Sequence, residues 1–274
     1  MFLNLKKHLE HMRKYKLLVI LLGIIAVFYV ARTIRTFTVK HKAQTLESEH
    51  FIISYDGIYK SEAKKLSEHL ESNYDEIRTN LKDVKHGQIK VFVYSSQYKF
   101  NVATGLKKNA NGTSRGPNEF HFVWTNWFNS IFPDDPLKTA LHEFTHCIQL
   151  NILIDKAKET ITTQNRTEFD KQFDKKFASE YPRWLWESIS IFEAGEVNSL
   201  SVKYAKSKNL TLAELNHSNQ IYNIGYTIIE YLTQKWGNDM LSKLIASFGN
   251  IEKTLNISTK EFEKGWIAFL NEKY

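Results

Sequence analysis

Hydrophobic and polar positions divide the chain into an apolar run, a short alternating region and a long helical region. Residues 17–31 are uncharged and mostly apolar, bounded by Lys16 and Arg32. At about 1.5 Å per residue the run is a little short of a ~30 Å hydrocarbon core, but Lys and Arg can snorkel at both ends. It reads as a membrane span. Residues 50–55 form a strand candidate that ends at the Asp56-Gly57 turn signal, and residues 88–94 alternate as a second strand. Between them Leu66, Leu70, Tyr74, Ile77 and Leu81 recur at helical spacing, which predicts a helix from Ile58 to about Leu81 and a βαβ-like opening. Residues 104–118 have the composition of a loop, and residues 119–124 form a third strand with Phe120, Phe122 and Trp124 on one face.

Beyond that strand the period is helical. Asp135 suits an N-cap and Pro136 a first helical position, and Leu137, Leu141, Phe144, Ile148 and Ile152 form an apolar stripe after them. Pro182 and Gly195 bound a short apolar helix. The polar insert between the two, about 155–180, carries Phe169, Phe173 and Phe177 every four residues, predicting a surface helix docked by an aromatic stripe, with a lid as the sharper alternative. Ile221, Ile224, Ile228 and Leu232 mark another helix, in which Gly225 points to close backbone packing. Thr211 with Glu214 and Ser258 with Glu261 match the capping box. The fold class is α+β, with a small mixed sheet followed by a mainly helical part.

Composition adds that 274 residues, 42% of them hydrophobic with only four prolines, can bury a substantial core. The net charge of +7 points first to nucleic acid, but nine basic residues and one acid precede residue 43. That arm carries +8 and the remainder −1, so nothing in the globular part reads as a phosphate-binding stripe and a nucleic-acid partner is excluded. The organisation is a basic arm at 1–16, a signal-anchor at 17–34, a linker at 35–48 and one domain at 49–274, its sheet part about 49–133 and its helical part about 134–274. An uncleaved anchor is favoured over a signal peptide, because Tyr29-Val30-Ala31 places a bulky residue where cleavage wants a small one. The expectation is a single-pass protein of the cell membrane with its domain on the extracytoplasmic side. The lone Cys147 forms no intrachain disulfide, and the sequence leaves the oligomeric state open.

The candidate chemistry lies in the helix after Pro136. His142 and His146, four apart, present two imidazoles to one point, and Glu143 sits one position round, where it can bond a metal's water without binding the metal. Catalytic zinc takes three protein ligands. Glu187, an ionisable side chain among Trp184, Leu185, Trp186 and Ile189, is costly to bury unless paired, and it is the third candidate. Glu193 on the same segment is a weaker one.

These two segments resemble the gluzincin metallopeptidases: a His-Glu-x-x-His helix and, after an insert, a helix reading Trp-Leu-x-Glu-Gly-x-Ala whose Glu is the third zinc ligand. The second motif here reads Trp184-Leu185-Trp186-Glu187-Ser188-Ile189-Ser190, with Ser188 for Gly and Ser190 for Ala, both small replacements. The resemblance implies one zinc per chain on His142, His146 and Glu187, with Glu143 as general base toward a water attacking a peptide carbonyl. Tyr222-Asn223-Ile224-Gly225 resembles the Tyr-x-x-Gly element whose Tyr steadies the oxyanion in aminopeptidase-like members, although Tyr222 reads equally as an aromatic on a core-facing helix. His217 and His121 are weaker oxyanion candidates. The resemblance further implies that the strand at 119–124 is the sheet edge pairing with extended substrate. A peptide or protein substrate follows, with endopeptidase as the default. The alternative is a membrane-tethered binding or scaffold protein that keeps this fold without cleaving.

Overall fold

The computed structural model describes residues 14–31, 43–56, 58, 60–83, 87–107, 110–125 and 134–274. The basic arm before Lys14, most of the linker, and Phe132 with Pro133 lie outside the described residues. Helix α1 (Lys14–Ala31) has no buried residue, with a mean hydropathy of 2.0, and is long and apolar enough to cross a membrane as an anchor or to serve as a signal sequence.

Five strands form one mixed sheet in the order β1-β2-β3-β5-β4. β2 (Phe51–Asp56), β3 (Ile89–Tyr94) and β5 (Glu119–Val123) run parallel, while β1 (Gln44–Glu47) and β4 (Gly112–Ser114) close the two edges antiparallel. The β2–α2–β3 unit is the βαβ opening that the periodicity predicts, and α2 (Lys60–Leu81) buries all five residues of the predicted face. Two elements depart from expectation. β1 lies within the segment read as linker, because a four-residue strand exposed along an edge carries no buried alternation. β4 lies within the segment read as loop, and it, not β5, forms the sheet edge beside the cleft. Three residues including a glycine cannot show a period of two; β4 exists because the longer β5 supplies its partner.

Helix α3 (Gln97–Thr104) follows β3, and Phe100 meets Tyr94 edge-on at 5.8 Å. Helix α4 (Pro136–Lys158) starts as predicted: the Asp135 side chain caps Leu137 N–H and Pro136 opens the first turn. It packs against α2 and the sheet, where Phe144 meets Phe51 edge-on at 5.3 Å and stacks on Tyr74 at 5.6 Å. Every residue from Thr139 to Gln149 is buried, so α4 is enclosed on all sides at its middle.

The rest is helical: α5 (Arg166–Glu180), α6 (Arg183–Glu193), α7 (Ser199–Lys206), α8 (Leu212–Leu215), α9 (Ile221–Trp236), α10 (Asp239–Ala246), α11 (Ile251–Leu255) and α12 (Thr259–Lys273). Both predicted capping boxes form. α6 crosses both α4 and α9. The α6–α9 crossing depends on Gly225, since a Cβ there would sit 3.2 Å from the Ser188 backbone and 2.8 Å from its hydroxyl. Ser188, small like the glycine it replaces in the resembled pattern, fits that approach.

Glu193 ends α6 facing α2, where Asn80 Nδ2 donates to its Oε2 at 3.1 Å and its Oε1 has no partner among the described residues. Burial, with Glu76 adding, pushes its carboxyl from 4.5 up to about 7 despite the Asn80 bond. The folded state therefore binds the proton more tightly than the unfolded chain, and stability falls as pH rises from about 4.5 to 7. Glu193→Gln should stabilise the domain at pH 8 by up to about 3 kcal/mol and lose that advantage near pH 4.5, as urea unfolding at the two pH values would measure.

Candidate metal centre

The middle of α4 and the first turns of α6 meet with their polar side chains turned inward. His142, His146 and Glu187 offer ligand atoms that all lie within 4.8 Å of one another. Glu187 Oε2 is 3.3 Å from His142 Nε2 and 3.8 Å from His146 Nε2. Ligand atoms 2.0–2.1 Å from a tetrahedral ion stand roughly 3.4 Å apart, so these separations suit a small cation. All three residues are buried, between 4% and 8% exposed.

The electrostatics also call for a cation. Glu143, Glu187 and Glu196 crowd the two imidazoles, and Glu196 Oε2 is 3.1 Å from His142 Nδ1. Burial works against a charge on His142, but the hydrogen bonds it donates to Glu187 and Glu196 outweigh it and push the imidazole up to about 10. Burial, then the charges of Glu187 and Glu196, push the Glu143 carboxyl up to about 8 against the pull of His142. His146 is driven down by burial and by His142. Glu143 Oε2 is buried with no partner among the described residues. A dication among these groups would offset both the crowded carboxylates and the unmet acceptor.

Each of the two imidazoles has an outer partner. Glu196, just past the left-handed Gly195 (φ 62°), orients His142. Ser190 Oγ lies 2.9 Å from His146 Nδ1. Trp186 stacks on the His146 ring at 3.9 Å, with Phe177 from α5 edge-on to the indole at 5.3 Å.

Above the cluster lies a cleft of about 1230 Å³, walled by β4 on one side and by the starts of α6, α7 and α9 on others. Gly112 of β4 meets Glu143 so closely that a Cβ there would fall 2.2 Å from Glu143 Oε1. Tyr222 lines the cleft and is 48% exposed, so it does not belong to the buried stripe of Ile221, Ile224, Ile228 and Leu232. Burial and the charge of Glu187 push its hydroxyl up to about 12, against Arg183, whose guanidinium lies 5.4 Å from the ring centre.

Of the residues singled out in the sequence, the structure gathers His142, Glu143, His146, Glu187 and Tyr222 around one cleft, with His217 on its wall. His121 does not line it: its ring is held between the Tyr94 hydroxyl and Glu119, both at 2.9 Å. Glu193 faces Asn80 instead of the imidazoles. Sequence reasoning missed Glu196, Gly112, and Ser190 with Gln149. A signal existed for the last pair, each three residues beyond a ligand and so on the neighbouring face. None existed for Glu196, whose approach depends on the turn at Gly195.

Fold and site together define an α+β domain whose crossing helices bring together a buried His-His-Glu cluster able to hold a metal ion. A family model described as a family of unknown function, DUF6055, matches residues 46–257, and the chain belongs to that family. The match takes in the whole cluster and leaves out α1 and α12. No curated protein matches the chain.

The purified chain should carry one divalent cation per molecule by inductively coupled plasma mass spectrometry. His146→Ala and Glu187→Ala should lose it, and Glu143→Gln should keep it.

Proposed function

We propose that the protein is a membrane-anchored zinc peptidase of gluzincin type, with His142, His146 and Glu187 as the ligands and Glu143 as the general base. The observation that carries this reading is the Glu143 carboxylate: buried one residue from a ligand, unmatched at Oε2, and bordering an open cleft. A binding or scaffold protein would gain nothing from such a group. When bound there, zinc supplies Lewis-acid chemistry, acidifying water and polarising a carbonyl.

The chain's own residues supply the remaining parts. Glu143 takes a proton from the attacking water and passes it to the leaving amine. Tyr222, whose phenol is protonated at neutral pH and lines the same cleft, steadies the oxyanion. β4 receives the substrate main chain. Its bonded pairs with β5 include Arg115 N–H to Glu119 and Val123 N–H to Asn111, which brackets Thr113 opposite His121. By the alternation of an antiparallel ladder, Gly112 and Ser114 turn their N–H and C=O groups to the open edge. An extended peptide can add there as a further strand, passing directly over Glu143. In this reading α1 is a single membrane span and the domain works on the extracytoplasmic side.

Incubating the full-length protein in detergent with a broad peptide library, with products read by mass spectrometry, tests the proposal. Cleavage should vanish in Glu143→Gln while metal content stays unchanged. A metal-loaded wild-type chain that cleaves no peptide would leave the scaffold reading in its place. Gly112→Ala should displace the Glu143 carboxylate and lower kcat by about 100-fold with metal retained, because a shift near 1 Å at a catalytic group has that effect.

A further inference from the structure

The two imidazoles have outer partners of different kinds. His142 Nδ1 faces the Glu196 carboxylate, which only accepts, so its N–H is fixed on that side and Nε2 is left to Glu187 or to a cation. His146 Nδ1 faces a hydroxyl, which both donates and accepts.

The direction of the bonds behind that hydroxyl can be worked out. Gln149 Nε2 lies 3.0 Å from the Trp186 carbonyl oxygen, a pure acceptor, so the nitrogen must donate there. This fixes the amide: Oε1 accepts from the Tyr181 hydroxyl at 2.7 Å, and the second N–H donates to Ser190 Oγ at 3.1 Å. Ser190 Oγ is left with one proton and one lone pair for His146. Gln149 and Ser190 are fully buried and Tyr181 nearly so, so no bulk water can replace a lost partner.

We propose that Ser190 is a positioning residue for His146, and that its hydroxyl reverses direction when a divalent cation is bound. This rests on the metal reading above and adds what holds the second imidazole. Without a cation, Ser190 donates to Nδ1 and the ring carries its proton on Nε2, facing Glu187. With Nε2 committed to a cation, the ring proton sits on Nδ1 and Ser190 accepts it. Gln149 keeps the same bonds in both states, so the hydroxyl turns without disturbing the amide behind it.

The consequence is a specific penalty for losing the hydroxyl. Gln149 Nε2 lies 3.5 Å from His146 Nδ1. In Ser190→Ala that amide can still donate to the ring when no cation is present. In the loaded state two donors, Gln149 Nε2–H and His146 Nδ1–H, would face each other across the gap. The loss therefore falls on metal binding more than on folding, and removing the amide donor relieves it.

The test is competition for zinc between the full-length chain in detergent and a chromophoric chelator. Ser190→Ala should raise the zinc dissociation constant by about tenfold. Ser190→Ala combined with Gln149→Met, an isostere without donors, should recover part of that loss, which a purely steric role for Ser190 does not predict. The d–d absorption of the cobalt-loaded proteins reports whether the coordination sphere is retained. Ser190→Ala binding zinc as tightly as wild type would overturn the inference and leave the peptidase reading standing. A double variant no better than Ser190→Ala would overturn the reversal of donation. A wild-type chain that takes up no zinc would overturn both readings.

Discussion

Burying four ionisable side chains, with a half-buried fifth beside them, where two helices cross is the constraint on which the rest of the molecule depends. Imidazoles and carboxylates are costly in an apolar interior unless each finds a partner. His142, Glu143 and His146 are nonetheless carried at the most enclosed part of α4, and Glu187 and Glu196 come to them from α6 and the turn after it. The fold accommodates this by massing apolar contacts around the polar point. Aromatic contacts among Phe51, Tyr74 and Phe144 fix α4 against the sheet and α2, and the Gly225–Ser188 approach fixes α6 against α9. With both helices clamped from behind, the ligand atoms have little freedom to separate.

Much of this was legible in the chain. His142 and His146 needed only the helical period, and the start of α4 follows from Asp135 and Pro136. Glu187 could be read as a lone charge in an apolar helix, and α2 by its five-residue stripe. What could not be read depends on contacts between distant segments. β1 and β4 are strands because a neighbour pairs with them, and neither is long enough to carry its own period. The sequence pattern accordingly points to β5 as the edge beside the cleft, and the structure places β5 one strand further in. Glu196 lies beyond a turn whose direction is a backbone choice at Gly195.

Ser190 shows a different limit. Compared with a pattern that has alanine at that position, the sequence invites a judgement of size alone, and by size serine is a neutral exchange. In the structure its oxygen joins His146 to Gln149. A residue can thus look like a departure in a motif while supplying a bond the motif's usual residue cannot make. Gly112 shows the reverse: a glycine in a segment that looked like ordinary loop is the one residue type that leaves room for the Glu143 side chain.

The order of strands across the sheet also has a mechanical side. The segment leading from α1 enters the domain at β1, on one margin, while β4 borders the cleft on the other, about four interstrand spacings or ~19 Å away. Force applied through the N-terminal helix would reach the domain along β1. Because β1 pairs with β2 alone among the strands, and is otherwise held by the packing of Leu46 and a bond from Gln88 to Glu47, it can peel away rung by rung under load while the three strands nearest the cleft keep their register. The attachment point can thus yield before strain is transmitted to the far margin.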